Sequence, residues 1–185
     1  VAAPTDDAYI DAGTTTRSIT AVSGGTTFES LAFSTVAAST TVPDDIDVTT
    51  VSLSATPTVT EGGSITYTAS LTNAATNAVT VTLSGGATIT IASGQTTGTA
   101  TVAAPTDDAY IDASTVSQSI ASVAGGTTFE SLTFSTAAAS TTVPDDIDVT
   151  TVSLSATPTV TEGGSVTYTA SLTNAATNAV TVTLS

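Results

Sequence analysis

Carboxylate side chains are the residues of this sequence whose types and spacing could do chemistry. All sixteen Asp and Glu residues fall at positions that recur after 101 residues. One recurring position, Glu29 and Glu130, stands alone. The candidate metal ligands form three recurring groups: Asp6, Asp7 and Asp11 with Asp107, Asp108 and Asp112; Asp44, Asp45 and Asp47 with Asp145, Asp146 and Asp148; and Glu61 with Glu162. Because charge that serves only solubility would be scattered, this placement indicates a ligand-binding role.

Calcium is the ion that these ligands favour. The formal net charge is −15, and Arg17 is the only basic side chain that could neutralise the acidic groups. Oxygen ligands without imidazole or thiolate select Ca²⁺ over transition metals, and a flexible cluster suits its about six to eight ligands better than the tight octahedron of Mg²⁺. The spacing matches neither an EF-hand nor the Gly-rich calcium nonapeptide. We therefore predict Ca²⁺ as the cofactor, with solvated acidic loops as the alternative.

The composition excludes most other functions. The chain has no His and no Cys, and Gln118 replaces Arg17 in the second copy. Catalytic triads, thiolate or imidazole zinc sites and Schiff-base lysines are therefore absent. Paired carboxylates for glycoside hydrolysis remain formally possible, but no Trp is present to build a sugar platform. We expect no enzyme and no small-molecule substrate. The negative charge opposes nucleic-acid binding, and no apolar run is long enough for membrane insertion.

Outside the acidic groups, Thr and Ser alternate with apolar residues, as in residues 64–72, 79–83, 87–91 and 98–102. This period of two is typical of half-buried strands, and Gly and Asn residues mark turns between them. The pattern predicts an all-β fold of tandem immunoglobulin-like antiparallel β-sandwiches, with about seven strands per repeat. The expected core is Leu53, Ile65, Tyr67, Leu71, Val79, Val81, Ile89, Ile91, Val102, Ile120, Phe129, Leu132 and Phe134.

The repeat sets the domain organisation. Residues 1–84 match residues 102–185 at all but ten positions, and a period of 101 residues is long enough for each repeat to enclose its own core. We predict that residues 1–48 are the C-terminal half of one repeat, 49–149 a complete repeat and 150–185 the N-terminal part of the next. Bound calcium at each junction would then convert a flexible string of domains into a stiff rod.

Residues 50–73, the strands 79–83 and 87–91, and the motif Asp-Asp-Ala-Tyr-Ile-Asp-Ala resemble the extender repeats of giant RTX-type adhesins of Gram-negative bacteria, the Lap-type large adhesion proteins. The resemblance implies a calcium-stiffened spacer, exported by type I secretion, that projects a binding domain from the bacterial cell surface during attachment and biofilm formation. Its expected partners are neighbouring repeats in the same chain or filament. Two alternatives are a self-assembling extracellular β-sandwich filament and a Thr-rich face that binds ice or glycan.

Overall fold

The computed structural model describes residues 2–185, which form thirteen β-strands and no helix. Within this range no helix is long and apolar enough to cross a membrane. The strands are β1 (Gly13–Arg17), β2 (Ala38–Val42), β3 (Val48–Ala55), β4 (Ser64–Leu71), β5 (Val79–Leu83), β6 (Thr88–Ile91), β7 (Thr97–Ala103), β8 (Ser114–Gln118), β9 (Ile120–Gly125), β10 (Ser131–Phe134), β11 (Ala139–Val143), β12 (Val152–Ala156) and β13 (Tyr168–Leu172).

The period-two pattern predicts which side of a strand is buried. In β4, Ile65, Tyr67, Ala69 and Leu71 are buried, and the intervening residues are more exposed. Successive side chains of a strand point to opposite faces, and β-branched Thr and Val suit a pleated surface. The all-β prediction is confirmed, and the several sheets are consistent with the β-sandwich class.

The strands form five sheets. A four-stranded sheet has the order β10-β3-β4-β7, and a three-stranded sheet has the order β6-β5-β9. Strands β8 and β11, β1 and β2, and β12 and β13 form two-stranded sheets. Most pairs are antiparallel, as in β3 and β4, where Val51 lies opposite Leu71. Strand β10 instead runs parallel to β3, with Ser131 opposite Val48, so the sheets are not entirely antiparallel as predicted. These two strands are far apart in sequence and are not joined by a hairpin, so nothing requires them to be antiparallel.

The structure also has more strands per repeat than predicted. Nine strands, β3 to β11, lie between Val48 and Val143, compared with the predicted seven or so. One reason is the boundary between β8 and β9, where Ser119 alone separates the two strands. Its backbone carbonyl accepts from Ser84 N–H at 2.9 Å, and its N–H donates to Ser84 Oγ at 3.2 Å. Ser119 is neither Gly nor Pro, so the sequence carries no strong turn signal there.

The chain divides into two compact units. The first unit contains the described residues up to Ala55, Thr66–Thr101 and Ser117–Ala139; the second contains Thr56–Ile65, Val102–Val116 and Ser140–Ser185. These bounds do not follow the sequence repeats, and the predicted domain limits stay a prediction.

The first unit has an apolar core built from two sheets. Tyr67, Val79, Val81, Ile89 and Ile91 are fully buried in it. In the chain as a whole, nine of the thirteen predicted core residues are buried, and the other four are half-buried. Those four are Leu53, Val102, Leu132 and Phe134.

The second unit has a smaller core, which includes Ile65, Ala104 and Val143. In its C-terminal part the second copy of the repeat forms only the β12 and β13 hairpin. Tyr168 is 57% exposed there, whereas its counterpart Tyr67 is fully buried in the first unit. The same residue type at the same repeat position is thus buried only where further strands cover it.

Candidate metal centre

Glu61 lies in the tight turn between β3 and β4, in the second unit. Gly63 N–H donates to Thr60 O at 3.1 Å, and Gly62 has a φ of 68°, a left-handed conformation that favours glycine. Gly62 N–H also donates to Pro105 O at 2.7 Å, and Ala104 N–H donates to Gly63 O at 2.9 Å. These bonds hold the turn against the segment that follows β7. As a result, only 8% of Glu61 is exposed.

Four aspartates surround the buried Glu61 carboxylate. In each of two overlapping triplets, one carboxylate oxygen from each residue lies within 4.8 Å of the others: Glu61 with Asp112 and Asp145, and Glu61 with Asp107 and Asp146. Asp112 N–H donates to Asp145 Oδ1 at 3.2 Å, which joins the loop between β7 and β8 to the segment after β11. All five carboxylates belong to the second unit.

The Glu61 carboxylate lacks a hydrogen-bond donor. Both of its oxygens are inaccessible to solvent and have no hydrogen-bond partner in the described part of the chain. Ionised carboxylates are acceptors only, so neighbouring aspartates cannot supply a donor unless one of them is protonated. The second unit contains no Lys or Arg, because the only basic side chain is Arg17 of β1. A buried anion of this kind requires either a proton or a cation.

The raised pKa values of two of these carboxyl groups reflect their close approach to one another. A hydrogen bond with Asp112, formed when one of the two is protonated, raises the pKa of Glu61 to about 7, and burial and the charges of Asp112, Asp145 and Asp146 add to the effect. Sharing a proton with Asp146, together with its charge, likewise raises the pKa of Asp107. In both cases the largest contribution to the pKa shift comes from a neighbouring carboxyl group, and no cation offsets it.

The residues present fit a hard divalent cation. Every ligand atom in the group is a carboxylate oxygen, the type that Ca²⁺ and Mg²⁺ prefer, whereas zinc and copper sites usually include the imidazole or thiolate groups that this chain lacks. The five carboxylates come from three separate chain segments, and the buried Glu61 oxygens face the aspartates without a donor of their own. A cation would satisfy these oxygens and join the three segments.

The first copy of the aspartates forms a similar arrangement in the first unit. Asp11 N–H donates to Asp44 Oδ2 at 3.3 Å. The pKa of Asp11 is raised by its hydrogen bond with Asp44, and that of Asp6 by its hydrogen bond with Asp45. These are the same pairings as in the second copy. No residue of the chain corresponds to Glu61 for this group, and it forms no metal-binding triplet within residues 2–185.

The remaining predicted ligands lie outside the triplets. Asp7 and Asp108 accept hydrogen bonds from the N–H groups of Tyr9 and Tyr110 at 2.9 and 2.7 Å. Two others, Asp148 and Glu162, are exposed. Asp47, whose side chain also joins no triplet, donates its backbone N–H to Glu130.

Glu130 is the residue that the sequence analysis did not select. Its Oε1 is buried without a hydrogen-bond partner in the described residues, and Oε2 accepts from Asp47 N–H. That bond lowers the pKa of Glu130, but burial and the neighbouring Asp44 and Asp47 outweigh it, so the pKa is raised. The sequence feature that could have identified Glu130 is its recurrence. Glu29 and Glu130 repeat with the same period as the other acids, although no acid adjoins them in sequence.

The LapA domain family model matches residues 1–45, 47–146 and 148–185 of the chain. Neither a curated protein nor a solved structure matches it. The match confirms the relationship to Lap-type adhesins that the sequence motifs indicated. A role related to these adhesins and a location at the cell surface or outside the cell follow from it at the level of the family. The chain belongs to the LapA domain family.

Proposed function

We propose that this chain is a structural extender of a large secreted bacterial surface adhesin, a calcium-rigidified spacer that projects binding domains for attachment and biofilm formation. The family match supports the adhesin part of this proposal. The calcium part is carried by one observation: the buried Glu61 carboxylate has no donor and is surrounded by four aspartates. In this proposal the chain is not an enzyme, it is organised as immunoglobulin-like tandem repeats, and its partners are neighbouring repeats.

The position of the carboxylates explains how a cation would stiffen the chain. Asp145 and Asp146 lie in the segment after β11, which by the predicted domain limits leads from one copy of the repeat into the next. Glu61 belongs to a turn, and Asp107 and Asp112 to the loop between β7 and β8. Bound Ca²⁺ would neutralise their repulsion and hold the connecting segment against the turn and the loop. A connecting segment fixed in this way no longer behaves as a flexible linker.

The test is a calcium titration of the full 185-residue chain by calorimetry, together with thermal melting in calcium and in chelator. We expect saturable binding, a higher melting temperature with calcium and a longer particle in small-angle scattering. Glu61→Gln should weaken binding strongly, because it removes the charge at the centre of both triplets.

The chain supplies its own control. Glu162 lies in the same Thr-Glu-Gly-Gly motif as Glu61 but is exposed, and it belongs to no carboxylate triplet among the described residues. Glu162→Gln should therefore leave calcium binding unchanged. Equal binding by Glu61→Gln and the unmodified chain would contradict the proposed site. Fibres formed by the purified chain would contradict the simple spacer and favour the filament.

A further inference from the structure

The loop that contributes the aspartates also presents a tyrosine, and both copies hold it in the same way. Asp7 Oδ1 accepts from Tyr9 N–H, and Asp108 Oδ1 accepts from Tyr110 N–H. Neither Asp7 nor Asp108 takes part in the Glu61 triplets. The tyrosine is therefore positioned by an aspartate that is not a member of the Glu61 triplets.

In the first unit Tyr9 makes a set of contacts with residues far along the chain. Its ring stacks on Phe129, with centroids 5.5 Å apart and an interplanar angle of 22°, and its hydroxyl donates to Ala74 O at 2.7 Å. Backbone bonds extend the contact: Ile10 N–H donates to Thr128 O at 2.9 Å, and the Glu130 N–H donates to the Ala8 carbonyl at 3.3 Å.

The contact surface is closely packed and uncharged at its centre. Phe129 is 4% exposed and Ala8 is 7% exposed, so apolar groups are buried on both sides of it. In the sequence Tyr9 lies before β3, whereas Ala74, Thr128 and Phe129 lie after β4. By the predicted domain limits, Tyr9 belongs to residues 1–48, whereas Ala74, Thr128 and Phe129 belong to the complete repeat 49–149.

The hydroxyl contact recurs in the second unit. Tyr110 Oη donates to Ala175 O at 2.8 Å, and Ala175 is the counterpart of Ala74 one period later. The tyrosine and its acceptor are 65 residues apart in both cases. The same contact thus forms twice. With the predicted domain limits, each contact joins a tyrosine of one copy to a backbone carbonyl of the following copy.

We propose that Tyr9 and Tyr110 lock consecutive repeats together, each binding the following copy of the repeat through its hydroxyl and, for Tyr9, through stacking on Phe129. The complete repeat 49–149 carries both halves of the contact, Ala74 as acceptor and Tyr110 as donor. The motif Asp-Asp-Ala-Tyr-Ile-Asp-Ala and the segment Asn-Ala-Ala-Thr-Asn, residues 73–77 and 174–178, each occur twice unchanged. The lock uses no carboxylate of the Glu61 triplets, so it goes beyond the calcium-dependent spacer and acts without a cation. It binds apolar and neutral polar groups, so salt should weaken it little.

The test is amide hydrogen exchange of the full chain, measured by NMR at Ile10 and Glu130, whose N–H groups cross the contact. Both amides should be protected in calcium and in chelator. Tyr9→Ala should speed their exchange by roughly tenfold, because it removes the stacked ring and its hydrogen bond, without affecting amides of β5. Tyr9→Phe, which loses only the hydroxyl, should have a smaller effect.

Ile10→Ala is the matched control. Ile10 is adjacent to Tyr9 in the loop, and its side chain is 62% exposed, so its truncation should leave the exchange of Glu130 unchanged. If the Ile10 and Glu130 amides stay protected in Tyr9→Ala, the proposed lock is wrong. It is also wrong if chelation of calcium abolishes their protection in the unmodified chain. Either result would leave the calcium-binding test unaffected. Failure of the chain to bind calcium would contradict the proposed spacer and leave the lock intact.

Discussion

Calcium binding by this chain should release protons, in an amount that depends on pH. The pKa of Glu61 is raised to about 7 by its hydrogen bond with Asp112, by burial and by the charges of Asp112, Asp145 and Asp146. A metal ligand must be deprotonated, so an ion that binds Glu61 displaces this proton. With a pKa of about 7, binding should release about 0.9 proton from Glu61 at pH 6, about 0.5 at pH 7 and about 0.1 at pH 8.

The sign of the pH effect on stability follows from the same shift. The pKa of Glu61 is higher in the folded chain than its ordinary value of 4.5, so the folded state binds the proton more tightly than the unfolded state does. Without metal, the contribution of Glu61 to the free energy of unfolding is present below about pH 4.5 and is lost as the pH rises through about 7. Calcium should reverse this trend, because its apparent affinity falls about tenfold for each pH unit below 7.

The assay is calorimetric titration with calcium at pH 6, 7 and 8, in pairs of buffers with different ionisation enthalpies. The dependence of the observed heat on the buffer gives the number of protons released. Metal-free thermal melting over the same pH range measures the stability effect. Glu61→Gln should abolish the pH dependence of the proton release and of the metal-free melting temperature. Glu162→Gln should change neither quantity. Proton release that is the same at all three pH values would refute the assignment of this proton to Glu61.

Three further predictions are measured by urea-induced unfolding, and the first two compare positions related by the repeat. Leu83→Ala should lower the free energy of unfolding by about 2–5 kcal/mol, because Leu83 is 1% exposed. The same substitution at Leu184, which is 48% exposed, should change it by no more than about 0.5 kcal/mol. Equal effects at the two positions would contradict the assigned core. Gly125→Ala should lower the free energy of unfolding by about 3 kcal/mol and Gly24→Ala by about 1 kcal/mol. Both glycines have φ near 90°, but only at Gly125 would a Cβ overlap a backbone carbonyl. A similar loss at both positions would show that this overlap is not the cause. Tyr67→Phe should stabilise the chain by about 1 kcal/mol, because the Tyr67 hydroxyl is buried without a hydrogen-bond partner in the described residues; a loss of stability would indicate a partner, such as a buried water.

Much of the fold could be predicted because strand burial is a local property. Alternation over β4 identifies Ile65, Tyr67 and Leu71 as inward-facing from the sequence alone. The number of strands and the parallel pairing of β10 with β3 could not be predicted in the same way. Both depend on which distant segments pair, and the local pattern of apolar residues carries no information about that choice.

For the candidate site, too, some properties follow from the sequence and others depend on the tertiary structure. The sequence by itself determined the chemistry: the chain offers carboxylate oxygens without imidazole, thiolate or lysine, and it repeats them at a fixed spacing. Only the tertiary structure decided which carboxylates meet, since Glu61 lies close to Asp112 and Asp145 through the packing of three segments. Glu61 and Glu162 have the same neighbours in sequence, yet one is buried and the other exposed, because burial depends on the segments that fold over a turn and not on the residues within it.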